Sequence, residues 1–113
     1  MRFRTLAIAF VVGTVAAATP ALAQTPVERG MKVFAEQECL ACHSVAGKGD
    51  PKGPIEEGIA KLSAEEIHEW LINPDDKSEM AGAYRKPSMK SYQTLPEEDL
   101  HALVAYLMSL KKK

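Results

Sequence analysis

Cys39, Cys42 and His43 are the residues whose types and spacing could do chemistry. They lie in the run Cys39-Leu40-Ala41-Cys42-His43, two thiols with an imidazole directly after the second. One helical turn brings positions i, i+3 and i+4 to the same side, so all three groups can face one ligand. In such a C-x-x-C-H run both sulfurs become thioethers to a single haem and the imidazole ligates its iron. Three other chemistries use part of the pattern. A Cys39–Cys42 disulfide suits an oxidising compartment. A thioredoxin-type redox pair expects a βαβ context, of which the chain shows no sign. Zinc needs two further Cys or His ligands at suitable spacing. The intact pentapeptide favours covalent haem c, attached through Cys39 and Cys42, over each of these.

An iron held by His43 leaves its opposite face to be filled. His68 and His101 lie in amphipathic helical patterns among charged neighbours and read as solvated surface residues. Methionine is a soft ligand that stabilises ferrous iron, as an electron carrier needs. Met31 and Met108 fall within helical patterns, where methionine packs. Met80 and Met89 fall in the loop before the last helix. Pro87 stiffens the approach to Met89, which the local argument favours over Met80. Exchange between the two stays open.

The elements that must position these groups begin after an apparent leader. Arg2 and Arg4 make a basic start, the 13-residue run Leu6 to Ala18 is apolar and small, and Ala21-Leu22-Ala23 is a small-x-small site. Together they describe a secretory signal peptide over residues 1–23, cleaved after Ala23. The alternative is an uncleaved anchor, but the run is shorter than the roughly 20 residues that span a bilayer and Pro20 closes it. Residues 24–113 then form a single exported domain with no stable membrane insertion. Its core is thin, with three Phe, three Tyr and one Trp in the 113-residue chain, so a buried porphyrin would supply the missing apolar bulk. Removing Arg2 and Arg4 takes 14 basic residues to 12 against 15 acidic, a formal −3 that excludes a nucleic-acid binder by net charge.

Helix signals follow in order. Thr25-Pro26-Val27-Glu28 caps a helix running to about Glu38, with Val27, Gly30, Met31 and Phe34 on one face. Glycine at position 30 costs helix stability, so it either admits a crossing helix or is simply tolerated. Residues 44–58 read as a Gly- and Pro-rich loop, with a short helix or turn near Ile55 to Leu62. Ser63-Ala64-Glu65-Glu66 opens a second helix that Pro74 stops near Asn73, and Asp75 to Gln93 reads as irregular. Thr94-Leu95-Pro96-Glu97 opens the last helix, with Leu100, Leu103, Val104, Leu107 and Leu110 as its apolar stripe. Lys111-Lys112-Lys113 complement its dipole. No strand-like alternation is visible. The fold class is all-α: three main helices and long loops wrapped around one covalently bound haem.

These motifs, taken together with Gly53-Pro54, Trp70-Leu71-Ile72-Asn73-Pro74, Lys86-Pro87-Ser88-Met89-Lys90-Ser91-Tyr92 and the Tyr106-Leu107 pair, resemble a class I bacterial cytochrome c. The resemblance spans essentially all of residues 24–113. It implies that Met89 is the second axial ligand and that the Pro54 carbonyl accepts from His43. It implies that Gly30 and Phe34 cross Leu103 and Tyr106, and that Trp70 lines the haem pocket or reaches a propionate, though Trp70 serves equally well as core. Lys90 after Met89 departs from the usual proline, and Asp75 to Arg85 does not align securely.

The implied function is a periplasmic monohaem carrier, shuttling one electron between a redox donor and an acceptor as a monomer or as a subunit of a redox complex. A closed His/Met shell argues against oxygen or peroxide chemistry, and hence against an enzyme. The rivals are a dedicated electron-accepting subunit of one oxidoreductase, or a haem sensor or peroxidase whose sixth ligand leaves. Lys48, Lys52, Arg85, Lys86 and Lys90 flank the two ligand segments and could make a basic rim that steers an acidic partner.

Overall fold

Thr25 starts the fold. Its hydroxyl accepts from the Glu28 amide at 3.1 Å and Pro26 fills the first helical position, so helix α1 covers Pro26–Glu36, ending short of the expected Glu38. The computed structural model describes residues 7–14 and 23–111. The export signal read over residues 1–23 therefore lies outside the described residues, apart from 7–14 and 23, which are exposed and in no helix or strand. Among the described residues no helix is long and apolar enough to cross a membrane.

After α1 come a 3-10 turn at Cys39–Ala41, strands β1 (Ser44–Val45) and β2 (Lys48–Gly49), and helices α2 (Ile55–Ile59), α3 (Ala64–Ile72), α4 (Pro74–Ala81) and α5 (Glu97–Ser109). The all-α reading holds, with two additions. The short antiparallel pair β1–β2 pairs Ser44 with Gly49 and Val45 with Lys48, where the sequence suggested only loop. Ala46 and Gly47, at φ 50° and 79°, make the tight reversal between them, a turn too short to leave any alternating pattern. Helix α4 is the second addition and corrects the irregular reading of Asp75 to Ala81. Pro74 ends α3, but a proline that ends one helix also suits the first position of the next. Asp75 and Asp76 then lie in the first turn of α4, and Gly82 closes it at φ 63°.

The core is the crossing of α1 and α5. Leu103 is fully buried, and Val33, Phe34, Leu100 and Leu107 pack with it. A Cβ at Gly30 would run into the Ala102 carbonyl and come within 2.6 Å of the Tyr106 Cβ. Glycine is required there by close approach, and so the crossing is the reason for it. Phe34 and Tyr106 meet edge to face at 5.2 Å. At the rim of the crossing, Arg29 binds Asp99 at 2.8 Å and Glu98 at 3.1 Å. Helix α3 adds Ile67 and Leu71 from its buried face; the capping box of Ser63 and Glu66 sets its start, with both reciprocal bonds formed.

Candidate functional site

Glu38 takes up a left-handed conformation, φ 54°, and turns the chain out of α1 into the pentapeptide. One turn follows: the amides of Cys42 and His43 both donate to the Cys39 carbonyl, at 3.2 and 2.9 Å. This turn keeps Cys39, Cys42 and His43 together as the spacing demands, although it is 3-10 rather than α at its start. The two thiols are free rather than joined in a disulfide.

The hairpin folds back over this turn. The Asp50 amide donates to the carbonyls of Leu40 (3.2 Å) and His43 (3.0 Å). Gly49 sits at φ 108°, and a Cβ there would collide with the His43 carbonyl. Two requirements, a positive φ and a backbone in the way, exclude any larger residue at this position. The Gly53 carbonyl accepts from the Ser44 amide at 2.9 Å and from His43 Nδ1 at 3.0 Å. A carbonyl can only accept, so Nδ1 carries the proton and the lone pair is left on Nε2, the nitrogen that can ligate a metal. The acceptor is Gly53, one residue before the expected Pro54. Pro54 instead bridges Ser44 in parallel and is the residue from which α2 begins.

The segment carrying Met89 is held at both ends. At its start the Arg85 guanidinium donates to the Cys42 carbonyl at 2.6 Å and to Asp50 Oδ2 at 2.9 Å, so it spans the pentapeptide and the hairpin. At its end the Tyr92 amide donates to the Leu71 carbonyl (2.8 Å), while Ser91 Oγ and Gln93 Nε2 both donate to the Ile72 carbonyl, at 2.7 and 2.9 Å. Between these anchors Met89 is half-buried against the core. Met80, on the last turn of α4, is 81% exposed. The two methionines, read as sharing one loop, thus lie in different settings, with Met89 the more buried.

Tyr92 closes the arrangement. Its side chain lies beside that of Cys39, which places the Met89 segment near the first thiol. Burial pushes the Cys39 thiol up despite the nearby Tyr92 hydroxyl and Lys90 charge. Burial, and secondarily Cys39, pushes the Tyr92 phenol up to about 12. Lys90 lies over the Tyr92 ring, 5.1 Å from its centre. Trp70 is half-buried on α3 and stands outside the core cluster, so of its two readings the plain-core one loses support.

Two free thiols on one turn, an imidazole with Nε2 left to bind and a half-buried thioether on a tethered segment form a donor set that fits haem c. Sequence reasoning missed Arg85, Asp50, Ser91 and Gln93 as positioning residues. The only signal for Arg85 was its place in the proposed basic rim, and its pairing with Asp50 takes it out of that rim.

A family model for cytochrome c matches residues 27–111. Cytochrome c oxidase subunit 2 of Alkalihalophilus pseudofirmus is 31% identical over 97 residues, covering 78% of this chain and 27% of that protein. The chain thus spans about a quarter of the length of this relative. No solved structure matches it significantly. The pentapeptide, the hairpin that holds His43 and the tethered Met89 segment all lie within the matched residues, and the chain belongs to the cytochrome c family of electron-transfer haem proteins.

Proposed function

We propose that the chain is a one-electron carrier with a single haem c, joined through Cys39 and Cys42 and ligated by His43 and Met89. The observation that carries this reading is the His43 Nδ1–Gly53 bond at 3.0 Å, which orients the ring and raises its basicity as a ligand. When bound, haem supplies reversible one-electron chemistry. The protein's part is to hold both ligands still. Arg85 and Ser91 restrain the Met89 segment from either end, so the thioether need not move as charge changes. Trp70, half-buried outside the core, is proposed to border the haem.

The visible spectrum of the purified protein in both oxidation states tests this reading. Low-spin signatures with no carbon monoxide binding support it; a high-spin ferric form that takes up carbon monoxide on reduction would favour a sensor or peroxidase. The basic start, apolar run and small-x-small site support export to the periplasm, with donor and acceptor both redox proteins. Lys48, Lys52, Lys86 and Lys90 are exposed on the two segments that flank the ligands, which supports steering of an acidic partner.

One observation favours a second reading. The relative in Alkalihalophilus pseudofirmus is named a cytochrome c oxidase subunit, which supports service as an electron-transfer module of an oxidase. Co-purification with oxidase subunits under mild detergent would support this reading over a free carrier.

A further inference from the structure

His68 and His101 belong to no part of the haem reading, yet they converge. Glu97 and His101 lie four residues apart and so share one face of α5, while His68 reaches them from α3. The two imidazole centres are 6.1 Å apart. Glu97 Oε1 lies 3.0 Å from His101 Nε2 and 3.7 Å from His68 Nε2. The three ligand atoms fall within 4.8 Å of one another. His68 Nε2 is itself buried and has no hydrogen-bond partner among the described residues. A buried ring nitrogen without a hydrogen bond is costly, and here it faces the Glu97 carboxylate just beyond bonding reach.

We propose that His68, Glu97 and His101 form a second metal site, for one borderline divalent cation such as Zn2+, that ties α3 to α5. Metal–ligand bonds of about 2.0–2.2 Å in tetrahedral array put neighbouring donors about 3.3 Å apart, and the separations of 3.0 and 3.7 Å bracket that value. Two imidazoles and one carboxylate match a borderline cation; Ca2+ and Mg2+ seek oxygen alone. The site opens into a surface groove of about 620 Å³ that Glu65 and Glu69 also line. A helix N-terminus by itself repels cations; with Glu97, these two carboxylates reverse the local sign. The side chains of Glu97 and His101 are well exposed, at 66% and 68%, so water completes the coordination from the solvent side.

The test is isothermal titration of the haem-loaded protein with Zn2+, in which the thioether linkages take Cys39 and Cys42 out of competition. The expected result is one Zn2+ per chain, no heat with Mg2+, and an affinity weakened about tenfold or more in both His68→Gln and His101→Gln. Zn2+ should also raise the melting temperature of the wild type and leave that of the double variant unchanged. The visible spectrum of each variant should match the wild type, which keeps loss of this site distinct from damage to the haem site. No stoichiometric uptake by the wild type, or equal uptake by both variants, would overturn the proposal.

Discussion

Two regions meet at the Cys39–His43 turn, and they are held by different physics. Residues 44–54 grip it through the backbone: the Gly53 carbonyl on His43, the Asp50 amide on Leu40 and His43, and Gly49 pressed against the His43 carbonyl. Residues 85–93 are held mainly by side chains, with Arg85 at one end and Ser91 and Gln93 at the other. Backbone bonds between short, conformationally committed turns leave little slack. Side-chain tethers at exposed positions are individually weak and can open one at a time. The histidine side should therefore be rigid and the methionine side the part that yields first.

The sharpest way to break the contrast is Gly49→Ala. An alanine must take φ near 108° and displace the His43 carbonyl, at a cost of about 3 kcal/mol. Thermal melting of the haem-loaded variant should show a large fall, and a change smaller than about 0.5 kcal/mol would mean that the hairpin does not grip the turn. Arg85→Ala comes next. Its partners are partly exposed, so the stability loss should be about 1 kcal/mol. Freed at one end, the Met89 segment should let the reduced protein bind carbon monoxide, which Gly49→Ala should do to a lesser degree despite its larger stability loss. Equal carbon monoxide binding by the two variants would erase the distinction between the regions.

A smaller effect tests Tyr92, which is buried beside Cys39. Burial first, and then the neighbouring Cys39 and Cys42 thiols, raise its phenol to about 12 in the fold, against about 10 when unfolded. The unfolded chain therefore loses its proton first, and the stability is complete below about pH 10 and drains away as pH climbs through about 12. Alkaline unfolding followed by far-UV circular dichroism should begin at higher pH in Tyr92→Phe than in the wild type. Smallest of all should be the steering effect: rising ionic strength should slow reduction by an acidic donor, and Lys48→Gln and Lys90→Gln should each flatten that slope slightly. A slope that responds to Lys90 alone would place docking on the methionine side.

How much of this was legible depends on whether the signal was local. The pentapeptide, the caps at Thr25 and Ser63 and the stripe on α5 are short-range patterns, and helices formed at each stripe, although α1 ends at Glu36 and α5 starts at Glu97 without a side-chain cap from Thr94. Helix α4 was missed because Pro74 carries two meanings, an end and a start, and only the acids after it and Gly82 decide between them. The His43 acceptor was misplaced by one residue because which carbonyl faces a ring depends on the turn geometry at Gly53, not on the identity of Pro54. Arg85 reads as one more loop cation until its partner is known, and Asp50 lies 35 positions away. His68 and His101 show the same limit: each looks like a solvated helix residue alone, and only the packing of α3 on α5 brings them to one carboxylate.

The central claim is that Met89, and not Met80, completes the coordination opposite His43. The optical charge-transfer band of methionine-bound ferric haem, recorded in Met89→Ala and Met80→Ala side by side, tests it most directly. Half-burial of Met89 between two anchors and the 81% exposure of Met80 predict that the band disappears in the first variant and persists in the second. A band that survives Met89→Ala and is lost in Met80→Ala would contradict the account.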